Sequence, residues 1–149
     1  MVLDGPTQFG KSTFAEGLFG SEKTIIINCQ NCRTPPMQRF RKDWRKYSCI
    51  VFEEVDHLMV CGNKLLFQGS RQLVDMGLNP TEQHAYTVLV YFKAMVLCSN
   101  RFLDGIDDDD KDYVMKNVFY QRVEDYMYHH LQAGLFGTGS SFQQGRLVV

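Results

Sequence analysis

The sequence predicts an α/β domain built on a mainly parallel central sheet flanked by helices, and three features point to it. Short apolar runs alternate with stretches of helical period, the pattern of β-α units wrapped around a parallel sheet. Two of these runs, residues 24–28 and 48–52, each hold an unbroken apolar stretch, Ile25 to Ile27 and Cys49 to Phe52, as strands covered on both faces do. The third feature is Gly5-Pro6-Thr7-Gln8-Phe9-Gly10-Lys11-Ser12, which fits G-x-x-x-x-G-K-[ST] and lies between an apolar run and a helical one.

Val2 and Leu3 begin the first strand, and Gly5-Pro6 follow at once. A helix is expected over 12–19, closed by Gly20. After the strand at 24–28, Pro35 and Pro36 open a helix over 37–46, with Phe40 and Trp44 four apart on its apolar side. The strand at 48–52 ends on Glu53 and Glu54, so two carboxylates stand at the carboxyl end of a strand, where open α/β sheets bind ligands.

Residues 63–76 read as a further helix, 77–80 as a turn, and 86–98 as two strands or one bent one running into Ser99-Asn100. Residues 104–110, with four consecutive aspartates, read as a solvated loop before a helix and a short strand near 118–123. The folded domain is expected over 1–132. Residues 133–149, up to Gly145 dominated by Gly, Ser and Gln, read as a mobile tail.

With 149 residues, 44% hydrophobic and 22% charged, the chain has the balance of one domain and no room for a second. No apolar run approaches the ~20 residues that cross a bilayer, and the N-terminus lacks a signal peptide's layout. The expectation is an intracellular protein, nuclear or cytoplasmic, without a membrane partner. A net charge of −1 excludes a polycation, so nucleic-acid contact must come from local patches such as Arg39, Arg41, Lys42, Arg45 and Lys46. Cys29 and Cys32 form one Cys-x-x-Cys, but Cys49, Cys61 and Cys98 are scattered singly. That spacing favours reduced thiols packed as small hydrophobes over a structural zinc site.

The glycines of the 5–12 loop let backbone N–H groups turn inward around phosphate oxygens, and the start of the following helix adds its partial positive charge. In that reading Gly5 to Thr13 bind ATP, Lys11 reaches the β- and γ-phosphates, and the Ser12 hydroxyl ligates Mg2+. A hydrolase of this kind needs one acid on the magnesium shell and another to orient the attacking water. Glu53 is the metal-side acid and Glu54 the candidate base. Asn100, at the end of an apolar run, offers an amide for the γ-phosphate or the water.

In order, GPTQFGKST, CIVFEE and MVLCSN resemble motifs A, B and C of superfamily 3 helicases, above all the ATPase domain of replication-associated proteins of small circular single-stranded DNA viruses. The resemblance covers about residues 1–123 and implies an AAA+-like P-loop NTPase with the loop-bearing strand near the sheet centre. It also implies a β-hairpin between the second and third motifs, with a basic residue near its tip that touches nucleic acid. Counting back from Asn100, that tip falls at His84, with Tyr86 placed to stack on a base. Rings of such subunits place an arginine on the neighbour's γ-phosphate, and Arg122 falls in that region, with Arg101 as the fallback.

The implied activity is ATP hydrolysis by a helicase-type motor on single-stranded DNA or RNA, in a homo-oligomeric ring. Neither a nuclease domain nor a helical oligomerisation segment stands ahead of the loop, so a fragment, or a cellular relic of a viral-type gene, is expected. Two other readings stay open: a small nucleotide or nucleoside kinase, and a non-catalytic nucleotide-binding interaction module.

Overall fold

A computed structural model describes residues 1–78, 85–124 and 127. Its core is a five-stranded sheet of β1 (Val2–Asp4), β2 (Thr24–Asn28), β3 (Cys49–Glu53), β6 (Ala94–Ser99) and β7 (Tyr120–Arg122), in the order β2-β3-β6-β1-β7. Every pairing is parallel. The loop-bearing strand β1 therefore lies between β7 and the central strand β6, near the sheet centre.

Alternation along the strands divides the core between the two faces of the sheet. Val2, Ile50, Phe52 and Leu97 pack in one cluster, and Leu3, Val51, Val96 and Cys98 in the other. Helix α1 (Lys11–Phe19) covers the second face through Ala15. The first face takes α2 (Gln38–Lys42) through Phe40, α3 (His57–Gly62) through Met59 and Val60, α4 (Lys64–Phe67) through Leu66, and α5 (Asp108–Asn117) through Val114. Phe52 meets Phe67 edge-on at 5.2 Å between ring centroids, a favourable aromatic geometry.

A separate antiparallel pair, β4 (Val74–Leu78) and β5 (Ala85–Val88), sits on this first face and buries Val74, Met76, Tyr86 and Val88. The expected helix over 63–76 is thus corrected: only α4 forms, and 74–76 belong to a strand. Cross-strand pairing with β5 overrides local helical period there. The helix expected over 37–46 stops at Lys42, and Trp44, in the turn beyond it, stays exposed rather than sharing an apolar side with Phe40. The aspartate run is only partly a loop. Asp107 caps α5 by accepting from the Asp110 amide at 2.8 Å, and Asp108 to Asp110 occupy its first turn, where negative charge suits the helix dipole. Residues 133–149 lie outside the described residues.

One buried carboxylate joins three strands. Asp4, the last residue of β1, accepts from the Phe102 amide at 3.0 Å and the Tyr120 hydroxyl at 2.7 Å, so it ties the segment after β6 to the start of β7. Burial, reinforced by Asp4, pushes the Tyr120 phenol up to about 12. Tyr120→Phe removes one partner from this carboxylate and is expected to lower unfolding free energy by about 1–3 kcal/mol, read as a reduced urea midpoint at unchanged slope.

Candidate functional site

The chain leaves β1 into a loop whose shape is set by its two glycines. The Gly5 amide donates to Ser99 O at 3.1 Å, and a Cβ at Gly5 would lie 2.2 Å from the Val123 carbonyl oxygen. No side chain fits in that space. At the far end Gly10 takes a left-handed conformation, φ 80°, to start α1, with Gln8 also left-handed at φ 68°. No side chain caps α1, which leaves its first-turn amides available to an external acceptor.

Lys11 opens α1 and its side chain is buried, 7% exposed. Its ammonium donates to Gly5 O at 2.7 Å, Pro6 O at 2.7 Å and Asn100 Oδ1 at 3.2 Å, which occupies all three of its protons. Burial pulls the Lys11 pKa below the usual lysine range, opposed by the Glu54, Asp4 and Glu53 carboxylates.

Ser12 Oγ donates to Glu53 Oε1 at 2.5 Å. Glu54, one residue beyond β3, holds φ 57°, a conformation uncommon for a residue with a side chain. The Asn100 amide reaches its carboxylate at 3.1 and 3.3 Å. Asn100 therefore links the Lys11 ammonium through its oxygen to the Glu54 carboxylate through its nitrogen.

These groups surround one cavity of ≈ 360 Å³, completed by Thr7, Gln8, Phe9, Gly10, Thr13 and Cys98. Its position follows from the topology. The connection from β1 crosses to the face of α1, while that from β3 crosses to the face of α3, so a crevice opens above β6 between them. Gly5 and Pro6 do not line the cavity but lend their carbonyls to Lys11.

Lys11, Ser12, Glu53, Glu54 and Asn100 are thus brought together around one space. Arg122 and Arg101 are not part of its lining: each is an exposed side chain in a long ion pair, with Glu124 at 3.8 Å and Asp104 at 3.9 Å. Tyr86 needs correction as a stacking residue. It is 6% exposed, packed in the core, and its hydroxyl accepts from the Met37 amide at 3.2 Å. His84 lies outside the described residues.

Two groups at the site were missed by sequence reasoning. Cys98 lines the cavity two residues before Asn100, and strand alternation alone would have put both on one side. Asp4 immediately precedes Gly5, but its partners lie in distant segments and leave no local signal. Among the described residues, no helix is long and apolar enough to cross a membrane. No protein-family model matches the chain, and neither does any curated protein.

Burial pushes the Cys98 thiol up to about 11, so it stays protonated at neutral pH. Its alkylation by iodoacetamide is expected to be slow near pH 7 and to accelerate about tenfold per pH unit until about pH 11, as followed by peptide mass spectrometry.

Proposed function

We propose that the chain is a P-loop ATPase module of the AAA+-like, superfamily 3 helicase type, which binds Mg-ATP on residues 5–13 and works on single-stranded DNA or RNA. One observation carries this reading: a buried ammonium, a hydroxyl paired to a carboxylate, and an amide paired to a second carboxylate converge on one cavity at the start of an uncapped helix. That is the inventory that phosphoryl transfer to water needs, since its catalysis is chiefly positioning and charge stabilisation.

A triphosphate seated on the loop accepts from the first-turn amides of α1, and its β- and γ-oxygens take over the Lys11 ammonium from the Gly5 and Pro6 carbonyls. Because Asn100 bonds Lys11 and Glu54 together, moving Lys11 onto phosphate frees the amide oxygen and loosens the carboxylate beside it. Glu54 then orients the attacking water and draws off its proton, with Asn100 held against the γ-phosphate.

Ser12 Oγ and Glu53 Oε1 converge within hydrogen-bond distance, two hard oxygen donors of the kind Mg2+ takes from protein when phosphate and water complete its shell. Bound there, the ion would neutralise charge on the β- and γ-oxygens. Arg122, exposed at the end of β7 and held by its long ion pair with Glu124, would reach a neighbouring subunit's phosphate in a ring.

The experiment is phosphate release from Mg-ATP, with and without single-stranded DNA and RNA. Lys11→Ala is expected to lower turnover at least about 100-fold and Glu54→Gln by about 100- to 10,000-fold with ATP binding retained. Tight ATP binding with no turnover would replace this reading with a non-catalytic module. Phosphate delivered to a nucleoside rather than to water would replace it with a kinase.

A further inference from the structure

The opposite end of the sheet carries a second constellation. Residues 43–48 lead into β3 and residues 89–93 into β6. Because these strands are parallel neighbours, with Cys49 beside Ala94, the two segments meet at the sheet edge remote from the phosphate loop. The Lys93 ammonium donates to Tyr47 O at 2.5 Å and stands 5.4 Å from the centre of the Trp44 ring. On Trp44 also lies the Arg45 guanidinium, at 5.4 Å, while Lys46 sits 5.5 Å from Tyr47 and Arg71 5.0 Å from Tyr91. Cations and rings therefore form one ridge.

Two features of this ridge are unusual for a surface that serves only solubility. Phe92 is 85% exposed, and its backbone adopts φ 61°, a conformation that phenylalanine rarely takes. The ring stands out in solvent beside Tyr91, their centroids 3.9 Å apart. Trp44 is likewise exposed, and the segment that bears it has Arg39, Arg41, Lys42, Arg45 and Lys46 against a single acid, Asp43. In a chain of net charge −1 this concentrates positive charge in one place.

We propose that this edge binds single-stranded nucleic acid, with unpaired bases stacking on Trp44 and Phe92 and phosphates held by Arg45, Lys46 and Lys93. Flat rings interleaved with cations suit a strand that offers π-faces and phosphates in alternation. An apolar protein partner would leave the cations without acceptors, and a duplex keeps its base faces covered. The proposal shares its choice of partner with the helicase reading, but the contact needs neither nucleotide nor turnover. It places the nucleic acid on Trp44 and Phe92, the latter in the segment that leaves β5, rather than on Tyr86, which the core buries.

Trp44 is the chain's one tryptophan, so its fluorescence reports this edge directly. The test is titration of the full chain with oligothymidylate in the absence of ATP, with a duplex of the same length and heparin as contrasts. Saturable quenching by oligothymidylate is expected, with affinity falling as salt rises at a log-log slope of about −2 for three phosphate contacts. Phe92→Ala, at an exposed position, should weaken binding roughly tenfold, and Arg45→Ala with Lys46→Ala should flatten the salt slope. Equal quenching by heparin or duplex, or no loss in Phe92→Ala, would overturn the assignment. Glu54→Gln is the control that separates the two readings, since it lowers turnover and should leave the quenching intact. Turnover without quenching would sink this proposal alone, and quenching without turnover would sink the motor alone.

Discussion

A lysine ammonium buried to 7% exposure needs an oxygen for every proton, and meeting that demand shapes the whole carboxyl edge of the sheet. Two of the acceptors are carbonyls of the loop itself and the third comes from Asn100, beyond β6. The loop therefore curls over its own lysine and is latched to a strand far along the sequence. Asn100 in turn fixes Glu54, whose left-handed backbone turns its carboxylate back toward the amide. Removing the ammonium would leave two carbonyls and an amide oxygen short of a donor, so its loss would be felt structurally as well as chemically.

Beneath that latch the sheet is asymmetric. Among the described residues one helix, α1, covers the second face, while α2 to α5 and the β4-β5 pair crowd the first. The same division that fills the core sends the connections from β1 and β3 to opposite sides, and this alone opens the crevice. Packing and site geometry are thus one fact seen from two directions.

Residues whose meaning is local were legible in the sequence. The 5–12 loop, the Glu53-Glu54 pair and Asn100 each stand at a strand end, and strand ends are marked by where an apolar run stops. The same reasoning failed where apolar residues recur on the surface: Leu65 and Leu73 are exposed, yet with Leu66, Val74 and Met76 they mimic a helical stripe over 63–76. Gly69, at φ 64°, breaks that stretch, and a partner strand supplies the pairing that local period cannot foresee. The Asp4 to Tyr120 hydrogen bond spans 116 positions, a distance at which sequence carries no pattern. Aromatic spacing misled in a similar way, since Trp44 stands four residues after Phe40 but past the helix end.

The close fit of Gly5 beneath the Val123 carbonyl has a mechanical side. With 2.2 Å between that oxygen and the place a methyl would occupy, the loop and the segment leaving β7 cannot slide independently. Val123 also donates its amide to Asp4 O at 2.7 Å, so the joint is pinned from both directions. An outward shift of the chain at Gly5 would therefore press on the Val123 backbone, the residue next to Arg122.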